Sequence, residues 1–173
     1  MKKLILTIMI AALSYGILSA QDNQTKAQLP SVSVKTLDGK TIKASEFSNE
    51  GKPFVICFWA TWCKPCMMEL NAMAELYDDW QEETGIKIYA VSIDDARTCP
   101  KVKPLVSGSD WSFEVILDQN SELKRALGVN NPPHTFIVNE KGEIVWQHVG
   151  YAPGDEETLI EIYKKVVKQE EIK

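Results

Sequence analysis

Residues 54–66 read Phe-Val-Ile-Cys-Phe-Trp-Ala-Thr-Trp-Cys-Lys-Pro-Cys, and this stretch decides the fold of the chain. Its first six residues form a continuous apolar run, which is typical of a central strand buried on both faces. Cys63 and Cys66 follow shortly after, and residues 64–83 then repeat apolar side chains with the period of a helix. The sequence therefore predicts that both cysteines lie where a buried strand turns into a helix.

The Cys-x-x-Cys spacing gives these two cysteines a chemical use. A thiolate is the form that attacks a disulfide, and the free N–H groups at a helix N-terminus stabilise that anion. We therefore predict that Cys63 attacks, with the positive charge of Lys64 beside it, and that Cys66, one turn along, closes a disulfide with Cys63. Pro65 falls in the first turn, where its missing N–H costs nothing.

Two other interpretations of the cysteine pair are weaker. A zinc centre needs four ligands, and the remaining candidates, which are Cys57, Cys99, His134 and His148, form no second paired knuckle. A purely structural disulfide across so short a loop constrains the unfolded chain little. We therefore expect no metal ligands in this chain.

Strand and helix patterns alternate along the rest of the chain. They predict an α/β fold in which helices flank a mixed central β-sheet, with an N-terminal β-hairpin and a central βα insertion. The predicted elements are a hairpin at 31–36 and 40–43, strands at 86–93 and 113–117, helices at 99–108 and 121–127, a second hairpin at 135–138 and 143–149, and a closing helix at 155–169.

The N-terminus is typical of an export signal. A short basic start is followed by an uncharged apolar stretch, residues 4–20, that ends in small residues. We predict a signal peptide at 1–20, a flexible leader at 21–28 and one domain at 29–173, which acts outside the cytoplasm, in the periplasm or its equivalent. The alternative is an uncleaved membrane anchor, for which the apolar stretch is at the short limit.

Composition excludes some functional classes. The 173 residues are 45% hydrophobic, which suits one domain with its own core. The net charge is −5 and no basic stripe is present, so nucleic acid is not an expected partner. Four cysteines are too few for a disulfide scaffold of this length.

Several spaced segments resemble the thioredoxin-like TlpA/ResA group of proteins. The resemblance covers residues 29–168 and is carried by residues 37–40, 51–53, 58–66, 91–94, 128–129 and 133–139. It implies a thioredoxin-like fold and a thiol–disulfide exchanger that works through the Cys63–Cys66 couple without a cofactor, often as a reductant in cytochrome c maturation or similar tasks. Its partners are then protein disulfides or dithiols and a membrane thiol electron donor, and we expect a monomer.

The resemblance also assigns roles to residues around the cysteines. It makes Pro133 the cis-proline that faces them, preceded here by Pro132, which has no N–H to offer a substrate chain. It places Glu69 in the pattern Cys-x-x-Cys-x-x-Glu, where burial should raise the pKa of the carboxyl and let it exchange a proton with Cys66. A solvated surface glutamate is the alternative.

Five further residues belong to the surroundings of this predicted site. We expect the carboxylate of Asp94 to accept the indole N–H of Trp59, although Asp94 can also cap a helix, and we predict that Trp62 supports the active site. Cys57 stands where cytosolic thioredoxins carry an acid, and its expected role is that of a small apolar filler. His134, next to Pro133, either modulates the site or is a bystander.

The predicted function is reduction of disulfides in exported proteins. A disulfide oxidase or isomerase is the main alternative, because the sequence does not set the reduction potential. A peroxidase lacks its expected cysteine context, and a non-catalytic binding module leaves the intact cysteine pair without a use. The role of Cys99, which precedes Pro100 in a loop, stays open between a free thiol, a glutathionylation site and an intermolecular link.

Overall fold

The computed structural model describes residues 27–172. The predicted signal peptide at 1–20 and most of the predicted leader at 21–28 lie outside the described residues. Within the described part of the chain, no helix is both long and apolar enough to cross a membrane.

One mixed β-sheet organises the domain, as the alternating patterns predict. Its seven strands lie in the order β2-β1-β5-β4-β3-β6-β7. The strands are β1 (Ser33–Thr36), β2 (Thr41–Lys43), β3 (Phe54–Trp59), β4 (Ile88–Ser92), β5 (Glu114–Leu117), β6 (His134–Val138) and β7 (Ile144–Val149). The first hairpin, β1–β2, joins the sheet through an antiparallel pairing of β1 with β5, and the second hairpin, β6–β7, forms the opposite edge.

Strand β3 lies at the centre because its apolar run can be buried on both faces. All six of its residues are buried. It pairs parallel with β4 and antiparallel with β6, and the second pairing sets Cys57 opposite Thr135 and Phe58 opposite His134. The carboxyl end of β3 is therefore the point from which the sheet presents the two cysteines.

The helices are α1 (Lys64–Thr84), α2 (Val102–Ser107), α3 (Glu122–Ala126) and α4 (Asp155–Val167). The long helix α1 packs beside α4, and it ends at Gly85, whose φ of 68° is the left-handed conformation that glycine adopts at helix ends. The helical period of the sequence predicts that Cys66, Leu70, Met73, Tyr77 and Trp80 share one buried face of α1. The structure confirms this face and adds Glu69 to it.

The helix predicted at 99–108 differs in its first turn. A 3-10 turn at Cys99–Lys101 leads into α2. The sequence predicts that Pro104 interrupts this helix, and that prediction is wrong. Pro104 lies in the first turn of α2, where the N–H that proline lacks has no helical partner.

Candidate active site

The two cysteines of the predicted redox motif are joined by a disulfide at the start of α1. Cys63 is the residue that caps the helix, and its sulfur accepts a hydrogen bond from the backbone N–H of Cys66 at 3.3 Å. The Cα atoms of the two residues are 5.3 Å apart, which is within the usual range for a disulfide. The sulfur of Cys63 therefore lies where the helix N-terminus stabilises a thiolate.

The two cysteines of the disulfide differ in their exposure to solvent. Cys66 is fully buried, whereas Cys63 keeps 6% of its surface exposed. The neighbours of Cys63 are open to solvent: Trp62 is 61% exposed, and both Lys64 and Pro65 are exposed. A substrate disulfide can thus reach Cys63 beside an exposed indole ring, while Cys66 is accessible only from within the protein.

Asp94 holds the turn that leads to Cys63. Its carboxylate accepts hydrogen bonds from the backbone N–H of Thr61 at 2.8 Å, the Thr61 hydroxyl at 2.6 Å and the Ser92 hydroxyl at 2.9 Å. The prediction that Asp94 accepts a hydrogen bond from the indole N–H of Trp59 is wrong, because the Asp94 carboxylate binds Thr61 and Ser92 instead. Asp94 therefore orders the residues between β3 and the cysteines through the backbone.

The indole ring of Trp59 packs edge-on against Trp111, with ring centroids 5.1 Å apart. Its Nε1 is buried and has no hydrogen-bond partner among residues 27–172. Trp111 satisfies its own Nε1 by donating to the side chain of Asn71 on α1, at 2.9 Å. Trp59 thus packs against a buried aromatic ring at the end of β3 and makes no polar link to Asp94.

The peptide bond between Pro132 and Pro133 is cis, at the position that the resemblance assigns. Since His134 pairs with Phe58 in the sheet, Pro133 lies one residue further, opposite Trp59 at the end of β3 that leads to the cysteines. Its carbonyl oxygen accepts a hydrogen bond from the N–H of Gly150. The role of Pro133 in binding substrate stays a prediction.

Glu69 lies one turn along α1 from Cys66, and it is only 5% exposed. Its carboxyl group contacts two side chains of the sheet: the Cys57 thiol donates to Oε2 at 3.1 Å and the Thr135 hydroxyl donates to Oε1 at 2.7 Å. The Thr135 hydroxyl is also 3.3 Å from the Cys57 sulfur. We call these three residues the carboxyl triad.

The carboxyl triad corrects one expectation and adds one residue. Cys57 is buried, as expected, but it is not an apolar filler, because its thiol hydrogen-bonds to Glu69. Thr135 has no place in the predicted site. The signal that could have found it is the pairing of β3 with β6, which sets Thr135 opposite Cys57 on the same face of the sheet.

Burial dominates the electrostatics of the carboxyl triad. It raises the pKa of Glu69 above its ordinary value, while the hydrogen bonds from Cys57 and Thr135 act in the opposite direction. Burial also raises the pKa of the Cys57 thiol well above its ordinary value, and the charge of Glu69 adds to that effect. The Cys57 thiol is therefore a neutral donor when it faces the carboxylate.

The remaining candidate residues are His134 and Cys99. His134 stacks on Phe136, and its Nε2 hydrogen-bonds to Gln147 at 3.0 Å; burial lowers the pKa of its imidazole. Cys99 is a partly buried free thiol. Burial is the main cause that raises its pKa. Among residues 27–172, no group of three or more His, Cys, Asp or Glu side chains is arranged to hold a metal ion.

Comparisons with known proteins agree with this geometry. The profile of the AhpC/TSA family matches residues 25–147. The chain is 33% identical to the thiol–disulfide oxidoreductase ResA of Bacillus thuringiensis, over 80% of this chain and 76% of that protein. It is 48% identical to a thioredoxin-like protein from Porphyromonas gingivalis solved in solution, with a TM-score of 0.74 and coverage of 86% and 97% of the two chains. StoA from Bacillus subtilis is 26% identical, with a TM-score of 0.63 and coverage of 78% and 99%. The predicted thioredoxin-like fold is confirmed.

Proposed function

Because the chain belongs to the AhpC/TSA family and to the ResA-like thiol–disulfide oxidoreductases, we propose that it reduces disulfides of exported proteins through the Cys63–Cys66 couple. The observation that carries the proposal is the asymmetry of the disulfide. One cysteine is reachable at a helix N-terminus, and the other is fully buried one turn along. That arrangement suits one attacking sulfur and one resolving sulfur.

The reaction starts from the reduced dithiol. The Cys63 thiolate attacks one sulfur of a substrate disulfide, forms a mixed disulfide and expels the other substrate sulfur as a thiolate. The Cys66 thiol then loses its proton and attacks the Cys63 sulfur, which releases the second substrate thiolate and leaves the Cys63–Cys66 disulfide. Two electrons pass to the substrate, so the protein must be reduced again, in our proposal by a membrane dithiol donor.

Glu69 supplies the proton exchange that this cycle needs. Cys66 must lose a proton when it resolves the mixed disulfide and regain one when the protein is reduced. The carboxyl of Glu69 is one turn away on the same helix, and its pKa is raised by burial, toward the range in which thiols exchange protons. In this proposal Glu69 takes up the Cys66 proton directly or through a water molecule.

The cellular setting belongs to the same proposal. Residues 1–20 direct export and are removed, and the domain at 29–173 acts as a monomer on the outer side of the cytoplasmic membrane, where protein disulfides form. Trp62, Lys64, Pro65 and Pro133 surround the reachable sulfur and contact the substrate chain. Asp94 and Trp59 support the turn from within.

A measurement of the reduction potential tests reduction against oxidation. The purified domain is equilibrated with a thioredoxin of known potential, and the fraction of oxidised Cys63–Cys66 is determined after acid quenching. We expect a value near that of thioredoxin, about −270 mV, whereas a value near that of DsbA, about −120 mV, contradicts the reductase assignment. A Cys99→Ala variant is the matched control, because it removes the partly buried free thiol from the count of reactive sulfurs.

A further inference from the structure

The side chain of Cys57 has no role in the exchange cycle described above. It lies in the middle of β3, fully buried, and it is not part of the disulfide. Its sulfur is nevertheless within hydrogen-bond distance of both other members of the carboxyl triad, 3.1 Å from Glu69 Oε2 and 3.3 Å from Thr135 Oγ1. A buried thiol in such a position can act as a donor and as an acceptor.

We infer that Cys57 is a positioning residue for the Glu69 carboxyl: together with Thr135 it closes a ring of hydrogen bonds that can hold this carboxyl in both its charged and its neutral form. The inference rests on the proposed role of Glu69 in proton exchange, which it deepens. Cys57 itself neither touches substrate nor changes its oxidation state in this role.

The charged form of Glu69 uses two donors. The Cys57 S–H donates to Oε2 and the Thr135 O–H donates to Oε1, so each carboxylate oxygen has one partner at 3.1 Å and 2.7 Å respectively. Hydrogen bonds to an ionised group are about twice as strong as those between neutral groups. These two donors therefore offset part of the cost of burying the charge.

The neutral form uses the same three side chains in a closed circle. When Oε1 carries the proton it donates to the Thr135 hydroxyl, the Thr135 O–H turns to the Cys57 sulfur at 3.3 Å, and the Cys57 S–H continues to donate to Oε2. Every donor of the ring then has an acceptor. Only one hydroxyl hydrogen has to rotate, so the carboxyl can gain or lose its proton without movement of heavy atoms.

Other titratable groups face Glu69 from neighbouring elements. Cys66 shares its helix, His148 lies on β7 beside Thr135 in the sheet register, and Asp155 begins α4. His148 Nε2 and Asp155 Oδ2 are 3.2 Å apart and shift the pKa of Glu69 in opposite directions, and Tyr151 lies between these two residues in the chain, shortly before α4. Cys57 and Thr135 are the side chains that hydrogen-bond to the carboxyl itself.

The test is a titration of Glu69 in the oxidised protein, in which Cys63 and Cys66 do not titrate. The carboxyl carbon of Glu69 is followed by ¹³C NMR in protein labelled at glutamate, and Glu69→Gln identifies its signal. Cys57→Ala removes one donor from the charged form, so we expect the proton affinity of Glu69 to rise about tenfold. Thr135→Val should change it in the same direction.

A conservative variant and a matched control sharpen this test. Cys57→Ser keeps a donor and acceptor at the position, and because a hydroxyl donates more strongly than a thiol, we expect a proton affinity equal to or below that of the wild type. Cys99→Ala removes the other free cysteine and should leave the Glu69 titration unchanged. Thermal melts of the oxidised proteins verify that each variant is folded. If Cys57→Ala does not fold, the Glu69 titration is compared between Thr135→Val and the wild type instead.

Two outcomes overturn the inference: an unchanged Glu69 titration in Cys57→Ala, or a Cys57→Ser variant that behaves like Cys57→Ala. Failure of the proposed function looks different. If the titration moves as expected but Glu69→Gln reduces substrate with the wild-type pH profile, the ring is correct and the proton exchange with Cys66 is not.

Discussion

The first two turns of helix α1 carry two sites of opposite character. At the N-terminus, the Cys63 sulfur lies among exposed residues, and it meets the helix dipole and the charge of Lys64. One turn beyond Cys66, the carboxyl of Glu69 is sealed between the helix and the sheet, where the Cys57 thiol and the Thr135 hydroxyl donate hydrogen bonds to it. The open end can touch a substrate, and the sealed end can hold a proton away from bulk water.

This difference shows how one helix can separate two tasks. Electron transfer needs a sulfur that a partner protein can reach. Proton exchange with a buried thiol needs an acid that is shielded from water, because burial then shifts its pKa. Cys66 belongs to both regions, because it is bonded to Cys63 and lies one helical turn from Glu69. The two regions should therefore respond differently to substitution.

The largest expected effect comes from the open end. Cys63→Ser should abolish reduction of insulin, since the sulfur that attacks from the helix N-terminus is lost. Cys66→Ser should instead accumulate mixed disulfides, because attack succeeds and resolution fails. Non-reducing gels followed by mass spectrometry of the trapped species measure both. If Cys63→Ser is the variant that traps substrate, the roles of the two cysteines are reversed.

The next effect comes from the sealed end and tests whether it takes part in the reaction at all. Glu69→Gln keeps the shape of the side chain and removes its titration. We expect reduction to slow by roughly a hundredfold, the lower end of the range typical for general acid–base catalysis, and the pH dependence of thiol alkylation to change. Rates that match the wild type across pH contradict a proton exchange between Glu69 and Cys66.

A smaller effect appears in stability. Because burial raises the pKa of Glu69 above its ordinary value of 4.5, the folded protein binds this proton more tightly than the unfolded chain does. The contribution to the free energy of unfolding is complete below pH 4.5 and is lost as pH rises through the folded-state pKa. Urea midpoints of the oxidised protein, measured against pH, should therefore fall more steeply in the wild type than in Glu69→Gln. Equal slopes would mean that folding does not perturb this carboxyl.

The open end could be predicted from the sequence because its signals are local. The apolar run of residues 54–59, the Cys-x-x-Cys spacing and the periodicity of 64–83 all depend on neighbours along the chain. They placed the disulfide at the start of α1 and the buried face of that helix. The seven-stranded mixed sheet followed from the same alternation of patterns.

The sealed end could be predicted only in part because it depends on pairing between distant strands. Glu69 is found by its spacing from Cys66, but Thr135 is 66 residues away and enters the site only through the register of β3 and β6. The same reason explains the error at Asp94. Proximity of two strand ends suggested Trp59 as its partner, whereas the carboxylate turns to the backbone and hydroxyl of Thr61.

The smallest expected effect on stability comes from Trp62 at the open end, and its substitution distinguishes substrate docking from the reactivity of the disulfide. Trp62 is 61% exposed, so Trp62→Ala should change the free energy of unfolding by less than about 0.5 kcal/mol. If the indole packs on substrate chains, as we propose, the variant should reduce insulin more slowly while it reduces a small aromatic disulfide at the wild-type rate. Val167→Ala is the matched control, because Val167 is also an exposed apolar residue. Val167 lies at the C-terminus of α4. Lys164, one turn earlier, forms an ion pair with Glu83, which is at the end of α1 opposite to Cys63. If Trp62→Ala reduces insulin and the small disulfide equally slowly, Trp62 affects the reactivity of Cys63 and not the docking of substrate. If Trp62→Ala and Val167→Ala reduce insulin at the same rate, Trp62 is not part of a docking surface.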